Sequence, residues 1–171
     1  MVENRKPMRL KNFDYSQPGF YFITICTKKK GNVLGEIREE IMWLNQFGEI
    51  LKECWFDLPE HYDNCRLDEF VIMPNHFHAI VEIIAVVNGL QPFSYGLQPF
   101  REGPLHGLSE IIRAFKTFSS KKINQSNQLP KFQWQQSFYD RVVRNEEELH
   151  KIREYIINNP AKWELDSYFI E

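Results

Sequence analysis

The chain lacks the features that settle many sequences at once. Its three cysteines, Cys26, Cys54 and Cys65, are far apart, odd in number and without a Cys-x-x-Cys pair. That excludes a disulfide framework and a thiolate metal site, and leaves reduced structural thiols. No run approaches the roughly 18 apolar residues of a membrane span, and the basic N-terminus is not followed by the apolar stretch of a secretory signal. A soluble, cytoplasmic protein with no membrane partner is expected. A basic excess is missing too. The formal net charge is −2, whereas most nucleic-acid-binding domains are strongly positive.

The cations that are present are grouped. Arg5, Lys6, Arg9 and Lys11 fall in an N-terminal arm (residues 1–14), and Lys28-Lys29-Lys30 follow the first expected strand. Arg113, Lys116, Lys121 and Lys122 fall along one expected helix, while acids gather at Glu146-Glu147-Glu148. Such patches can track a phosphate backbone. For any one patch, a merely solvated surface is the competing reading.

At 171 residues the length fits one domain, residues 1–171, able to bury its own core. Phe20 to Thr27, aromatic and β-branched after a Pro-Gly turn, reads as a central strand. Val33 to Leu44 reads as a weaker strand or pair. Gln46 to Leu58 has helical apolar spacing up to Pro59. Leu67 to Met73 and His76 to Ile84 form a hairpin around Pro74-Asn75, where Asn75 is expected to shape the turn. Ser109 to Ile123 is a helix with Ser109 as its N-cap, Gln133 to Val143 is extended, and Glu146 to Asn158 is a helix stopped at Pro160. Gly89-Leu90-Gln91-Pro92-Phe93 recurs as Gly96-Leu97-Gln98-Pro99-Phe100. Two copies are too few for a solenoid, so residues 88–107 are expected to be an expanded surface loop. The element order predicts an α+β domain with helices on one antiparallel sheet; periodicity does not choose among such topologies.

The chemistry concentrates in Met73-Pro74-Asn75-His76-Phe77-His78. Side chains two apart on a strand share a face, so His76 and His78 stand side by side as metal ligands would, while Phe77, Ala79, Val81 and Ile83 fill the opposite face. Glu82 shares the histidines' face and is a candidate substitute ligand, with a merely solvated acid as the competing reading. Tyr155 and Asn159 are four apart on the last expected helix and so lie on one side of it. Tyr139 is a second tyrosine, in an extended run without an amide one turn away, and is read as structural or DNA-contacting. His61, His106 and His150 have no such setting and default to surface or structural roles.

The ordered segments Tyr15 to Thr27, Leu67 to His78, Phe138-Tyr139-Asp140 and Tyr155-Ile156-Ile157-Asn158-Asn159-Pro160 resemble those of the HUH single-tyrosine transposases, and most closely their REP-associated branch. The resemblance implies a ferredoxin-like sheet, with His76, His78 and Asn159 as ligands of Mg²⁺ or Mn²⁺ and Tyr155 as the catalytic nucleophile. It also implies single-stranded DNA with hairpins as the partner, a 5′-phosphotyrosine intermediate, and a monomer or homodimer. Arg9, Lys11, Arg113, Lys116, Lys121 and Lys122 are the expected DNA-backbone contacts. Two other readings use the same residues: a non-catalytic hairpin-binding module that keeps the fold, and a hydrolase with water as nucleophile.

Overall fold

The computed structural model describes residues 13–85, 106–125 and 131–169. Four strands build the main sheet: β1 (Gly19–Cys26), β4 (Cys65–Ile72), β5 (His76–Ile83) and β6 (Tyr139–Val142). They lie in the order β4-β5-β1-β6 with every neighbour antiparallel. A small separate hairpin, β2 (Gly35–Arg38) and β3 (Ile41–Leu44), precedes helix α1 (Gln46–Phe56) and the single turn α2 (Leu58–His61). Helix α3 (Leu108–Gln125) connects β5 to β6, and α4 (Glu146–Ile157) follows β6. With the hairpin set aside, strand–helix–strand–strand–helix–strand in this spatial order is the ferredoxin-like arrangement, so the expected fold class is the observed one.

Each face of the sheet is set by strand alternation. On one face Ile23 and Ile25 of β1 and Phe77, Ala79, Val81 and Ile83 of β5 pack with Leu51 and Trp55 of α1 and Ile111, Ile112 and Phe115 of α3. Trp55 lies 4.8 Å from Phe77 and 5.3 Å from Phe115, both edge-on, the geometry favoured between aromatic quadrupoles. On the other face a smaller cluster joins Ile80 to Leu149, Ile152 and Ile156 of α4, with Phe20, Phe22 and Val71 around it. The sheet is therefore a middle layer, with α1 and α3 on one side and α4 on the other.

Local chemistry explains most boundaries. Asn45 caps α1, its side chain accepting from the amides of Phe47 and Gly48, as N-cap asparagines do. Gly48 belongs to a close approach: a Cβ there would sit 2.3 Å from the Leu34 carbonyl oxygen. Asn145 caps α4 by accepting from the Glu148 amide at 2.8 Å, and the Glu148 carboxylate accepts in return from the Arg144 amide at 2.8 Å. The acidic run Glu146-Glu147-Glu148 is thus the first turn of a helix, where negative charge meets the positive end of the dipole.

Four expectations change in detail. Helix α3 starts at Leu108, so Ser109 is inside the first turn; the Leu108 amide donates to Tyr15, and the carbonyl of Gly107 takes the amides of Glu110 and Ile111. Helix α1 ends at Phe56, before Pro59, which instead lies in the first turn of α2, a place where its missing N–H is harmless. Of Gln133 to Val143 only β6 is strand, preceded by an isolated bridge between Trp134 and Thr27. Pro160 does not extend the residue before it: Asn159 keeps helical dihedrals, φ −62° and ψ −42°, and opens a 3₁₀ segment, Pro160–Leu165. The bond from the Lys162 amide to the Asn159 carbonyl, with that from the Asn159 amide to Ile156, offsets the usual pre-proline crowding. Almost all of the repeated loop, and Arg9 and Lys11 of the arm, lie outside the described residues.

Candidate active site

The site lies on the α4 face, where β1 and β5 each place polar residues in an otherwise apolar layer. His76 and His78 are 0% and 2% exposed, with ring centroids 4.5 Å apart. Thr24 stands opposite His78 across the β1–β5 ladder, and its hydroxyl is 2.8 Å from His78 Nδ1. Asn75, in the hairpin turn, is buried and does more than bend the chain. Its Nδ2 donates to the Tyr168 carbonyl at 2.8 Å, which leaves Oδ1 facing His76 Nδ1 at 2.9 Å. A carbonyl only accepts, so the amide orientation is fixed and His76 Nδ1 must carry the proton. Its Nε2 is then a bare lone pair. Orienting partners on the far ring nitrogen are what metal-binding histidines ordinarily have.

Burial pushes both imidazoles down to about 3, with the neighbouring His76 contributing at His78. Tyr168 and Trp163, with ring centroids 4.6 and 5.9 Å from His76, help exclude water. Both histidines are accordingly neutral and ready to donate lone pairs.

His76 Nε2 has no hydrogen-bond partner and faces Asp166 Oδ2 at 3.9 Å. That distance would suit an ion pair only if the imidazole were charged, which its burial opposes. Two ligands each about 2.1 Å from one ion lie at most about 4.2 Å apart, so a shared cation explains an imidazole lone pair set against a carboxylate. One ligand atom from each of His76, His78 and Asp166 lies within 4.8 Å of the others. These three groups can hold a metal ion, and nitrogen with oxygen donors suits a divalent one.

Asp166 was not a sequence candidate. It follows Tyr155 by eleven residues without a motif, and a 3₁₀ segment, rather than the helix register, brings it in. Its only advance signal is a carboxylate downstream of the tyrosine helix. Glu82, the acid singled out on the histidines' face, is not part of the cluster; it pairs across the sheet with Phe20 and Arg66, at the far end of β5. Thr24 could have been noticed as the polar member of an apolar strand.

Tyr155 reaches the cluster from α4. Its hydroxyl is 3.2 Å from His78 Nε2, while the residue as a whole is 43% exposed, so the side chain reaches into the site from a partly open position. Burial and the nearby Asp166 raise its pKa, while a hydrogen bond from Asn159 opposes the rise. Asn159 is 3% exposed, and its Oδ1 has no hydrogen-bond partner. The phenol's position is secured from the other side of the helix. A β-bulge between Leu67 and Phe70 turns Asp68 toward α4, where Arg153 donates to it from Nε at 2.8 Å and from Nη2 at 2.5 Å. A two-pronged pair of this kind fixes direction as well as distance.

The expected DNA contacts are placed unequally. Arg113 and Lys121 are exposed on α3. The Lys116 ammonium instead donates to the carbonyls of Gln135, Gln136 and Ser137 at 2.8 to 3.3 Å, and Lys122 pairs with Glu53 at 2.8 Å. Tyr139 is half-exposed on the edge strand. No described helix is long and apolar enough to cross a membrane.

No protein-family profile matches the chain. An uncharacterized protein of Haemophilus influenzae is 36% identical over 173 residues, covering 99% of this chain and 96% of that protein. The two belong to one family. Among solved structures, a REP-associated tyrosine transposase bound to a REP hairpin matches 91% of this chain and 73% of its own, with a TM-score of 0.61 and 17% identity. The chain therefore has the fold of the REP-associated tyrosine transposases, as its motifs led one to expect.

Proposed function

We propose that this protein is a metal-dependent single-stranded DNA nicking and strand-transfer enzyme of the REP-associated tyrosine transposase type, with Tyr155 as nucleophile. The observation that carries the reading is the Tyr155 hydroxyl, 3.2 Å from His78 Nε2, beside three groups able to hold a cation, in the fold of a transposase solved on a hairpin.

The Tyr155 oxygen attacks the scissile phosphorus, a phosphotyrosyl ester forms, and the 3′ oxygen leaves. The bond energy stays in the ester, so a second DNA end can reverse the step without an external energy source. The Asp166 carboxylate, which keeps lone pairs beyond any given to an ion, is the acceptor toward which the phenolic proton can leave. His76, His78, Asp166 and the orphaned Asn159 Oδ1 are the groups that would hold Mg²⁺ or Mn²⁺. The bound ion supplies Lewis-acid stabilisation of charge developing on a non-bridging phosphate oxygen. Since Tyr155 meets His78 of its own chain, one chain suffices for a site, which supports a monomer. Arg113 and Lys121 are the accessible candidates for backbone contacts; Lys116 and Lys122 would first have to release their present partners. Arg9 and Lys11 complete that set as proposed contacts.

The test is a denaturing gel of the protein incubated with labelled hairpin oligonucleotides from the DNA flanking its gene, with Mn²⁺ or Mg²⁺. A covalent adduct is expected that Tyr155→Phe and a chelator each abolish. Cleavage that survives Tyr155→Phe would mean water is the nucleophile, and hairpin binding with no adduct would mean a binding module.

A further inference from the structure

Residues of the sheet and of α4, Tyr155 among them, line a cleft of about 710 Å³, inside the roughly 300–1,000 Å³ range of ligand-sized clefts. Phe22 and Thr24 of β1, Tyr139 of the edge strand and Tyr155 of α4 are among the residues that line it. Tyr139 pairs with Thr24, which pairs with His78, so all three side chains stand on the same face of the sheet. Tyr139 is 48% exposed at an edge with no further strand among the described residues.

Two features say what such a cleft takes. Three cations and three carboxylates meet along its walls, and Arg141 and Lys151 are already held by Glu148 and Glu147. A track for phosphates needs uncompensated positive charge, which this cleft does not offer. An open aromatic face in a charge-balanced, polar-walled cleft suits a nucleobase, which is flat, apolar on its faces and polar at its edge. Resting on the reading of Tyr155 as a nucleophile for DNA, we infer that the cleft receives the unpaired base next to the scissile phosphate, stacked on Tyr139. Tyr139 then sets where along the strand the phosphate meets Tyr155, and acts as a specificity-determining residue.

The test separates this inference from the one beneath it by measuring binding without chemistry. In a Tyr155→Phe background, affinities are measured for a hairpin oligonucleotide with a single-stranded flank, and for copies carrying one abasic site at successive flank positions. Tyr139→Ala is expected to weaken binding of the intact strand about tenfold, and Tyr139→Phe to leave it unchanged, since stacking needs the ring and not the hydroxyl. At one flank position the abasic strand should bind the parent about tenfold more weakly than the intact strand does, yet bind Tyr139→Ala no worse than the intact strand. Penalties that multiply at every position, or a Tyr139→Phe loss equal to that of Tyr139→Ala, would overturn the inference. Absence of a covalent adduct with Tyr155 intact would instead overturn the strand-transfer reading and leave the stacking result standing.

Discussion

The two faces of the sheet come from the same strands and are built on opposite principles. Toward α1 and α3 the buried side chains of β1 and β5 are apolar, with Trp55, Phe77 and Phe115 in mutual ring contact. Toward α4 the buried set includes Thr24, His76, His78 and Asn159, and two of their polar atoms have no partner. Unpaired buried polar atoms are expensive, so the first face stabilises the domain and the second gives up stability to keep donors available. The difference teaches where a ligand can be held: the α4 face presents lone pairs that His76, His78 and Asp166 could give to one ion.

The largest effect should come from damaging the apolar face. Phe77→Ala or Trp55→Ala is expected to destabilise the domain by about 3–5 kcal/mol, read as a lower urea midpoint, because each leaves a cavity among fully buried neighbours. On the other face, adding a cation should help rather than harm. At 100 times its dissociation constant a bound ion adds about 2.7 kcal/mol, so Mn²⁺ should raise the thermal midpoint of the parent, while His76→Ala or Asp166→Asn should lose that rise. An unchanged Mn²⁺ response in both variants would mean the ion, if bound, is held elsewhere.

A smaller effect tests the strut between the faces' edges. Arg153 holds the Asp68 carboxyl below its ordinary range, chiefly through the side-chain hydrogen bond. A carboxyl whose folded pKa is depressed contributes stability above its unfolded value, near 4, and loses it as pH falls through the folded value. With the pair partly open to solvent, screening limits the contribution to about 1 kcal/mol. Asp68→Asn should therefore cost about that much at pH 7 and nothing once the pH is below the depressed value, measured by urea melts across pH. The smallest effect is expected at Glu82. Glu82→Gln should leave the Mn²⁺-induced rise in melting temperature unchanged, in contrast to Asp166→Asn, and a loss in both would return Glu82 to the ligand set.

Much of this was readable along the chain because it is local. Strand alternation at Phe77, Ala79, Val81 and Ile83 announced the core face, and the same period put His76 and His78 together on the other. Helical spacing put Asn159 near Tyr155, and Asn159 keeps helical dihedrals just before Pro160, where the local rule alone predicted a break. Reading failed where long-range contacts decided. Asp166 enters from a 3₁₀ segment with no periodic signature, and Asn75, read as a turn former, fixes the proton on His76 because the Tyr168 carbonyl happens to lie within reach. Lys116 looked like a free cation until the segment 135–137 folded its carbonyls around it.

The sequence by itself determined the alternation of the strands and the pairing of the two histidines, since each depends on residues a few positions apart, and its ordered segments from Tyr15 to Pro160 carried the family resemblance. Only the tertiary structure decided that α4 crosses the histidines' face, that Asp166 completes a three-group cluster, and that Tyr139 and Tyr155 line one cleft. Those outcomes depend on which segments meet in space, and neither backbone period nor side-chain type encodes the meeting of β5 with a segment more than eighty residues later.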